Sequence, residues 1–392
     1  MAIKVRVLLS SVVVLSTMWL VSCGHYVCGT TFGNSSCTAP SGGISQGGSG
    51  IGTPAAFDFF QDSGSLNAAI VDTSGNFDLI PNFVSPPQTL SGTGGMLIVQ
   101  KQWLYIALTG GLSIEAYSID GKTGALTAIS GQPFSSPNTN AITADPAGKF
   151  LFLCGADNDQ VTVFAINQTS GALTQVGSFP VGVGFAEQAT TDGLGKYLYV
   201  TAGNLGSQVA VFTILPNGSL NPVTGSPFSI TIAQLEGEPT GKFLLGVTGN
   251  GANNGFTSDD HVYVFSINQS TGVLTPVTGS PFATTFTPGR LAVNPNGTLV
   301  YTFNQTVTGT SPMEGFQLNT TTGALTPLAS SPFTSITAPA GVFDPSGTYL
   351  FMHPSTTLTA ASVNTTTGAL TSIGQPIPNA GNPVAWAATD PH

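Results

Sequence analysis

Thr322–Phe333 read TGALTPLASSPF, and Thr271–Phe282 read TGVLTPVTGSPF. A phrase repeated at this length marks a supersecondary unit used more than once. Aligned on its glycine, it recurs at Gly75, Gly124, Gly171, Gly218, Gly272, Gly323 and Gly368, at intervals of 45 to 54 residues. A strand precedes each glycine, as in VTVFAIN, VAVFTIL and VYVFSIN. These runs are apolar at nearly every position, so both faces are expected to be covered. The glycine closes a short hairpin that needs a residue at positive φ. The following strand ends in Ser-Pro-Phe at Ser226–Phe228, Ser280–Phe282 and Ser331–Phe333. Proline cannot donate to a ladder, so this strand is expected outermost, its proline blunting the edge and its Phe folding inward.

A second phrase alternates with the first: ADPAGKFLFLC from Ala144, TDGLGKYLYVT from Thr191, NPNGTLVYTF from Asn294 and DPSGTYLFMH from Asp344. The DP-x-G segment is a turn between two strands. Each unit is then four antiparallel strands, lettered A to D, with DP-x-G between A and B and TGALT between C and D. Seven such units predict an all-β, seven-bladed β-propeller. The chain ends NPVAWAATDPH, a strand A without its B to D, and the body begins with AAFDFF, LNAAIVD and FDLIPNF, a B to D without its A. The ring is therefore expected to close by pairing the C-terminal strand A with the N-terminal strands.

The ends read differently from the body. Lys4 and Arg6 precede an apolar run from Val7 to Val21, a secretory leader too short to span a membrane well. Leu20-Val21-Ser22-Cys23 resembles the bacterial lipobox, which implies a lipid on Cys23 as the first mature residue; ordinary secretion is the alternative. Gly24 in place of Asp implies no retention at the inner membrane. The expected organisation is a leader over 1–22, a lipidated, Gly/Ser-rich tether over 23–56 and a propeller over 57–392. Cys28 and Cys37 in the tether are close enough to bridge in an oxidising compartment, or to remain free. The protein is expected outside the cytoplasm, on the cell envelope and on the outer membrane.

Two of the eight basic residues fall in the leader, leaving six against eighteen acidic ones, a net charge of −12 for the mature chain. That excludes nucleic acid and anionic membrane surfaces as partners, leaving the lipid as the membrane contact. A small-molecule or carbohydrate-like ligand, or an envelope protein, remains as partner for a monomer. No cofactor is called for. Asp157-Asn158-Asp159 and Asp259-Asp260 offer oxygen ligands for Ca²⁺ without a complete ligand spacing.

The paired phrases resemble the seven-bladed lactonase family, the 6-phosphogluconolactonase-like propellers, from about Phe57 to the C-terminus. In that family one strand A reads GPRH-x-x-x-x-P-x-G. Here Pro288-Gly289-Arg290-Leu291 through Pro295-Asn296-Gly297 occupies the place, with Leu291 where the family has His. The resemblance implies a lactone-hydrolysing ancestor.

Strand A should line the channel, and the residue four before each turn acid should lie at one height: Gly94, Ala141, Gln188, Gln234, Arg290, Ala340 and Trp386. Arg290, the only arginine after the leader, suits a carboxylate or phosphate, or else pairs with Glu187 or Glu236. Glu187 and Glu236 are the expected general bases beside Arg290. Gln188, Gln234, Trp386, His261 and His353 are the expected ligand contacts, on the face that carries the variable B–C and D–A loops. Three readings follow: a binding propeller with a degenerate catalytic motif, a lactone hydrolase, or a structural cell-surface component.

Overall fold

The computed structural model describes residues 52–392 except 63–64, 81–82, 84–92, 109–111, 156–158, 203–206, 250–258, 305–311, 355–356 and 379–384. The leader, the lipobox, the tether cysteines and parts of the two longest B–C loops lie outside the described residues. The described residues hold seven antiparallel sheets and no helix. Blade I takes strand A from Ala385–Thr389 and strands B to D from Pro54–Asp62, Ser65–Asp72 and Phe77–Leu79. The strand A residues of blades II to VII are Thr93–Val99, Thr139–Ala144, Ala186–Thr191, Gln234–Gly237, Arg290–Val293 and Gly341–Phe343. The first strand begins at Pro54, three residues before the expected start of the body.

The ring closes as the two ends predict. Phe57 to Gln61 pair in register with Thr389 to Ala385. Seven apolar clusters fill the seven junctions between adjacent blades, the one between blades VII and I included: there Phe60 and Val71 meet Phe351 and Ala360. Each fully buried aromatic in such a junction contributes about 1.5–3 kcal/mol.

The repeated phrases are explained by what they touch. In the A–B turn, the Asp192 carboxylate accepts from the N–H groups of Lys196 and Tyr197 at 2.7 and 2.8 Å, and Asn294 does the same for Thr298 and Leu299. In the C–D turn, Gly272 has φ +74°, and a Cβ there would lie 2.6 Å from the Tyr197 ring of the preceding blade. The glycine thus serves positive φ and close blade approach together. The Tyr199 hydroxyl donates to the Gly272 carbonyl across the junction, as Tyr105 does to Gly171 and Tyr301 to Gly368. Strand D is outermost in every blade. Where it ends, Ser280 Oγ accepts from the Val264 N–H and Ser331 Oγ from the Gly315 N–H, and the Phe333 ring turns inward to 5.8 Å from Tyr301.

Candidate ligand site in the central channel

Strand A is hydrogen-bonded to strand B on one side only, so its other edge faces the channel. Along the wall of blades V, VI, VII and I lies a cavity of about 290 Å³ lined by Gln234, Glu236, Arg290, Val293, Phe343 and Trp386, among others. Four of the eight expected catalytic and ligand-contact residues, Gln234, Glu236, Arg290 and Trp386, therefore share one space.

The Arg290 guanidinium stands over the Trp386 indole, with Cζ 5.4 Å from the ring centroid. Its side chain reaches channel water, while the surrounding wall disfavours the charge and lowers its pKa. An arginine stays cationic under such a shift. Among the described residues no ion pair joins it to Glu236 or another carboxylate within 4 Å. Glu236, half-buried two residues deeper along the neighbouring strand, has its carboxyl raised to about 7 by loss of water around the charge.

The remaining expected residues are placed otherwise. Glu187 is not among the residues lining this cavity. It stands at the register shift between Ala186 and Gln188, and its charge acts on the Cys154 thiol, which burial pushes up to about 12. Gln188 and Gln234 both hydrogen-bond the backbone of the next blade's inner strand. Gln188 Oε1 accepts from the Leu235 N–H at 2.9 Å. The Gln234 amide accepts from the Leu291 N–H at 2.7 Å and donates to the Leu291 carbonyl at 3.2 Å, bridging two inner strands with both its polar atoms. Leu291 itself packs in the core between blades V and VI, so the position where the family carries His is apolar here.

His261 opens strand C of blade V, the third strand from the channel, with Nδ1 3.8 Å from Asp259. It does not join the cavity. Asp259 accepts from Tyr263 and Thr248 and Asp260 from Thr287, so both carboxylates brace loops; Asp157 and Asn158 lie outside the described residues.

His353 is buried, not loop-exposed. Its ring stacks on Trp386 at 4.9 Å and 17°, and its Nε2 lies 3.3 Å from an Asp58 carboxylate oxygen with no exposure on either side chain. Asp58 was not singled out in the sequence. The signal for it was present in FDFF, an acid inside a strand whose neighbours are all aromatic.

The family profile for "Lactonase, 7-bladed beta-propeller" matches residues 63–187 and 185–342. No curated protein matches the chain. Among solved structures, a candidate 6-phosphogluconolactonase of Bacteroides fragilis aligns with TM-score 0.67 at 19% identity, over 86% of this chain and 98% of that one. A second candidate 6-phosphogluconolactonase, from Bacteroides uniformis, aligns with TM-score 0.67 at 16% identity, over 86% and 99%. The periplasmic gluconolactonase of Pseudomonas aeruginosa aligns with TM-score 0.65 at 14% identity, over 86% and 100%. At these identities the likeness to the solved structures is one of fold.

Proposed function

The chain belongs to the seven-bladed β-propeller lactonase family, and on that premise we propose that it binds a small anion of the sugar-acid or lactone class in the channel cavity at Arg290. The observation that carries this reading is a guanidinium without an acidic neighbour within 4 Å among the described residues, facing a cavity of about 290 Å³. A carboxylate or phosphate entering there gains a planar donor fork and loses little to competition from the wall. The indole of Trp386 beside it offers an apolar platform for a ring.

A second reading, lactone hydrolysis, is favoured by Glu236. A carboxyl near 7 is about half ionised at neutrality and can take a proton from water, while Arg290 offsets charge developing on a lactone oxygen. Leu291 supplies no imidazole to help. In either reading the protein acts outside the cytoplasm on a lipid carried by Cys23. Labelled palmitate should enter the wild-type chain in a bacterial host and not Cys23→Ser; equal labelling would remove the anchor from the proposal.

Calorimetry with gluconate, paired with a glucono-δ-lactone hydrolysis assay, tests the site. Binding by the wild type that is lost in Arg290→Ala supports the first reading. Turnover above background that is lost in Glu236→Gln supports the second. Neither binding nor turnover by the wild type overturns the site.

A further inference from the structure

The channel wall behind Trp386 contains ionisable groups that ordinary packing does not explain. Asp58, on strand B of blade I, and His353, at the end of strand B of blade VII, are remote in sequence and both fully buried. Nε2 of His353 and an Asp58 oxygen approach to 3.3 Å, and none of the side-chain polar atoms of either residue makes a hydrogen bond among the described residues. Burial raises the Asp58 carboxyl, and His353 pulls it partly back. Removing a carboxylate and an imidazole from water with only each other for compensation is unfavourable compared with an apolar pair of the same size. Phe60, two residues along the strand from Asp58, pairs in register with Trp386 and holds its ring 6.0 Å from His353. A third aromatic in the place of His353 would continue that apolar packing.

What the histidine contacts suggests its use. The same indole that stacks on His353 carries the Arg290 guanidinium. Asp58, His353, Trp386 and Arg290 therefore form an unbroken series from the interior of the blade I–VII junction to the channel cavity. We propose that the Asp58–His353 pair is a positioning device: the carboxylate fixes the imidazole, the imidazole fixes the plane of Trp386, and the indole holds the guanidinium toward the cavity. The inference rests on the channel reading given above for the choice of ligand, but not for its structural core. Neither Asp58 nor His353 touches the ligand in this scheme; both act through Trp386.

The test uses a full-length background in which Trp19 and Trp103 are replaced by Phe, leaving Trp386 as the single tryptophan. Asp58→Asn keeps the side-chain shape and removes the charge that orients His353. Its expected result is altered Trp386 emission and gluconate affinity weaker by about three- to fivefold, the size of a loosened cation–π contact. In a Trp386→Leu background the same Asp58→Asn change should leave affinity unaltered, because the intermediary is gone. A folded Asp58→Asn protein with wild-type emission and affinity overturns the proposal, and so does an equal loss of affinity in both backgrounds. If Asp58→Asn does not fold, His353→Gln, which keeps a polar side chain near Asp58 without the stacked ring, carries the same expectations. Should the wild type bind no gluconate, the channel reading fails and the emission comparison alone decides the positioning role.

Discussion

Two cavities of similar volume open along the inner strands, and their walls differ. One, of about 330 Å³, lies between blades II and III against Leu97, Ile98, Gln100, Ile142, Thr143 and Asp145. Its only acid, Asp145, is engaged by the Lys149 and Phe150 N–H groups of its own turn. The other, of about 290 Å³, lies across blades V to I and holds Arg290, Glu236 and Trp386. The backbone unit is the same on both sides. The difference shows that space alone does not mark the site. The slightly larger cavity offers Gln100, Thr143 and a carboxylate satisfied by its own turn, whereas the smaller one offers a cation with no carboxylate within 4 Å among the described residues and a carboxyl raised to about 7.

The largest expected effect removes both cavities at once. Deleting Ala385–His392 takes away the five-residue pairing with blade I and one face of the junction with blade VII. Scanning calorimetry should then show no cooperative melt, and a transition like that of the intact chain would refute closure by the termini. Next in size, Arg290→Ala should weaken gluconate binding by about 10- to 100-fold, the range for a hydrogen-bonded charge contact, with little change in melting temperature. An aliphatic change on the other side, Ile98→Ala, should leave that binding intact while lowering stability. If the two variants affect binding alike, the distinction between the cavities is wrong.

Glu236 sharpens the contrast through pH. Its ordinary value is 4.5 and its folded value about 7, so the native state holds the proton more tightly. Below pH 4.5 both states are protonated and the group contributes nothing to the balance. Between 4.5 and 7 the unfolded chain ionises first, so stability falls as pH rises; above 7 the full penalty persists. About 1.4 kcal/mol per pH unit between 4.5 and 7 sets an upper bound of about 3.5 kcal/mol, and contact with channel water reduces this to about 1–2 kcal/mol. Glu236→Gln should therefore be more stable than the wild type at pH 8 by about that amount, and equal to it near pH 4. Gluconate binding by the wild type should weaken as pH rises through 7, as a negative charge appears beside the anion, and the Glu236→Gln profile should be flat there. Parallel denaturation profiles for the two proteins would mean that the carboxyl is solvated.

The fold was legible because its signals are local. TGALT specifies a hairpin within five residues, Ser-Pro-Phe an edge, and DP-x-G a turn, and repetition supplied the rest. The ring around Arg290 was legible to the extent that one strand register repeats. Glu236 sits in regular pairing with Leu245 and reaches the cavity. Glu187 falls on a β-bulge, where alternation of side chains breaks down, and it is not among the residues lining the cavity. His353 and Asp58 were out of reach for another reason. Their contact spans nearly the whole chain and exists only once blades VII and I are joined, so no window of sequence contains it. Gln188 and Gln234 were seen as polar residues at the right height, but a sequence does not say whether an amide faces a ligand or the next strand.

That last ambiguity yields the smallest effect and a clear contrast within one wall. Gln234→Ala leaves both the N–H and the carbonyl of Leu291 without their amide partners. Urea denaturation should show a loss of about 1–2 kcal/mol, while Gln188→Ala, which frees only the Leu235 N–H, should lose about 0.5–1 kcal/mol. Gluconate affinity should change little in either variant, because both amides brace the strands that carry the site. A Gln234→Ala protein of unchanged stability that has lost gluconate would reverse this assignment: the amide would then belong to the ligand, and the wall around Arg290 would owe its difference from the blade II–III wall to one more residue than Arg290, Glu236 and Trp386.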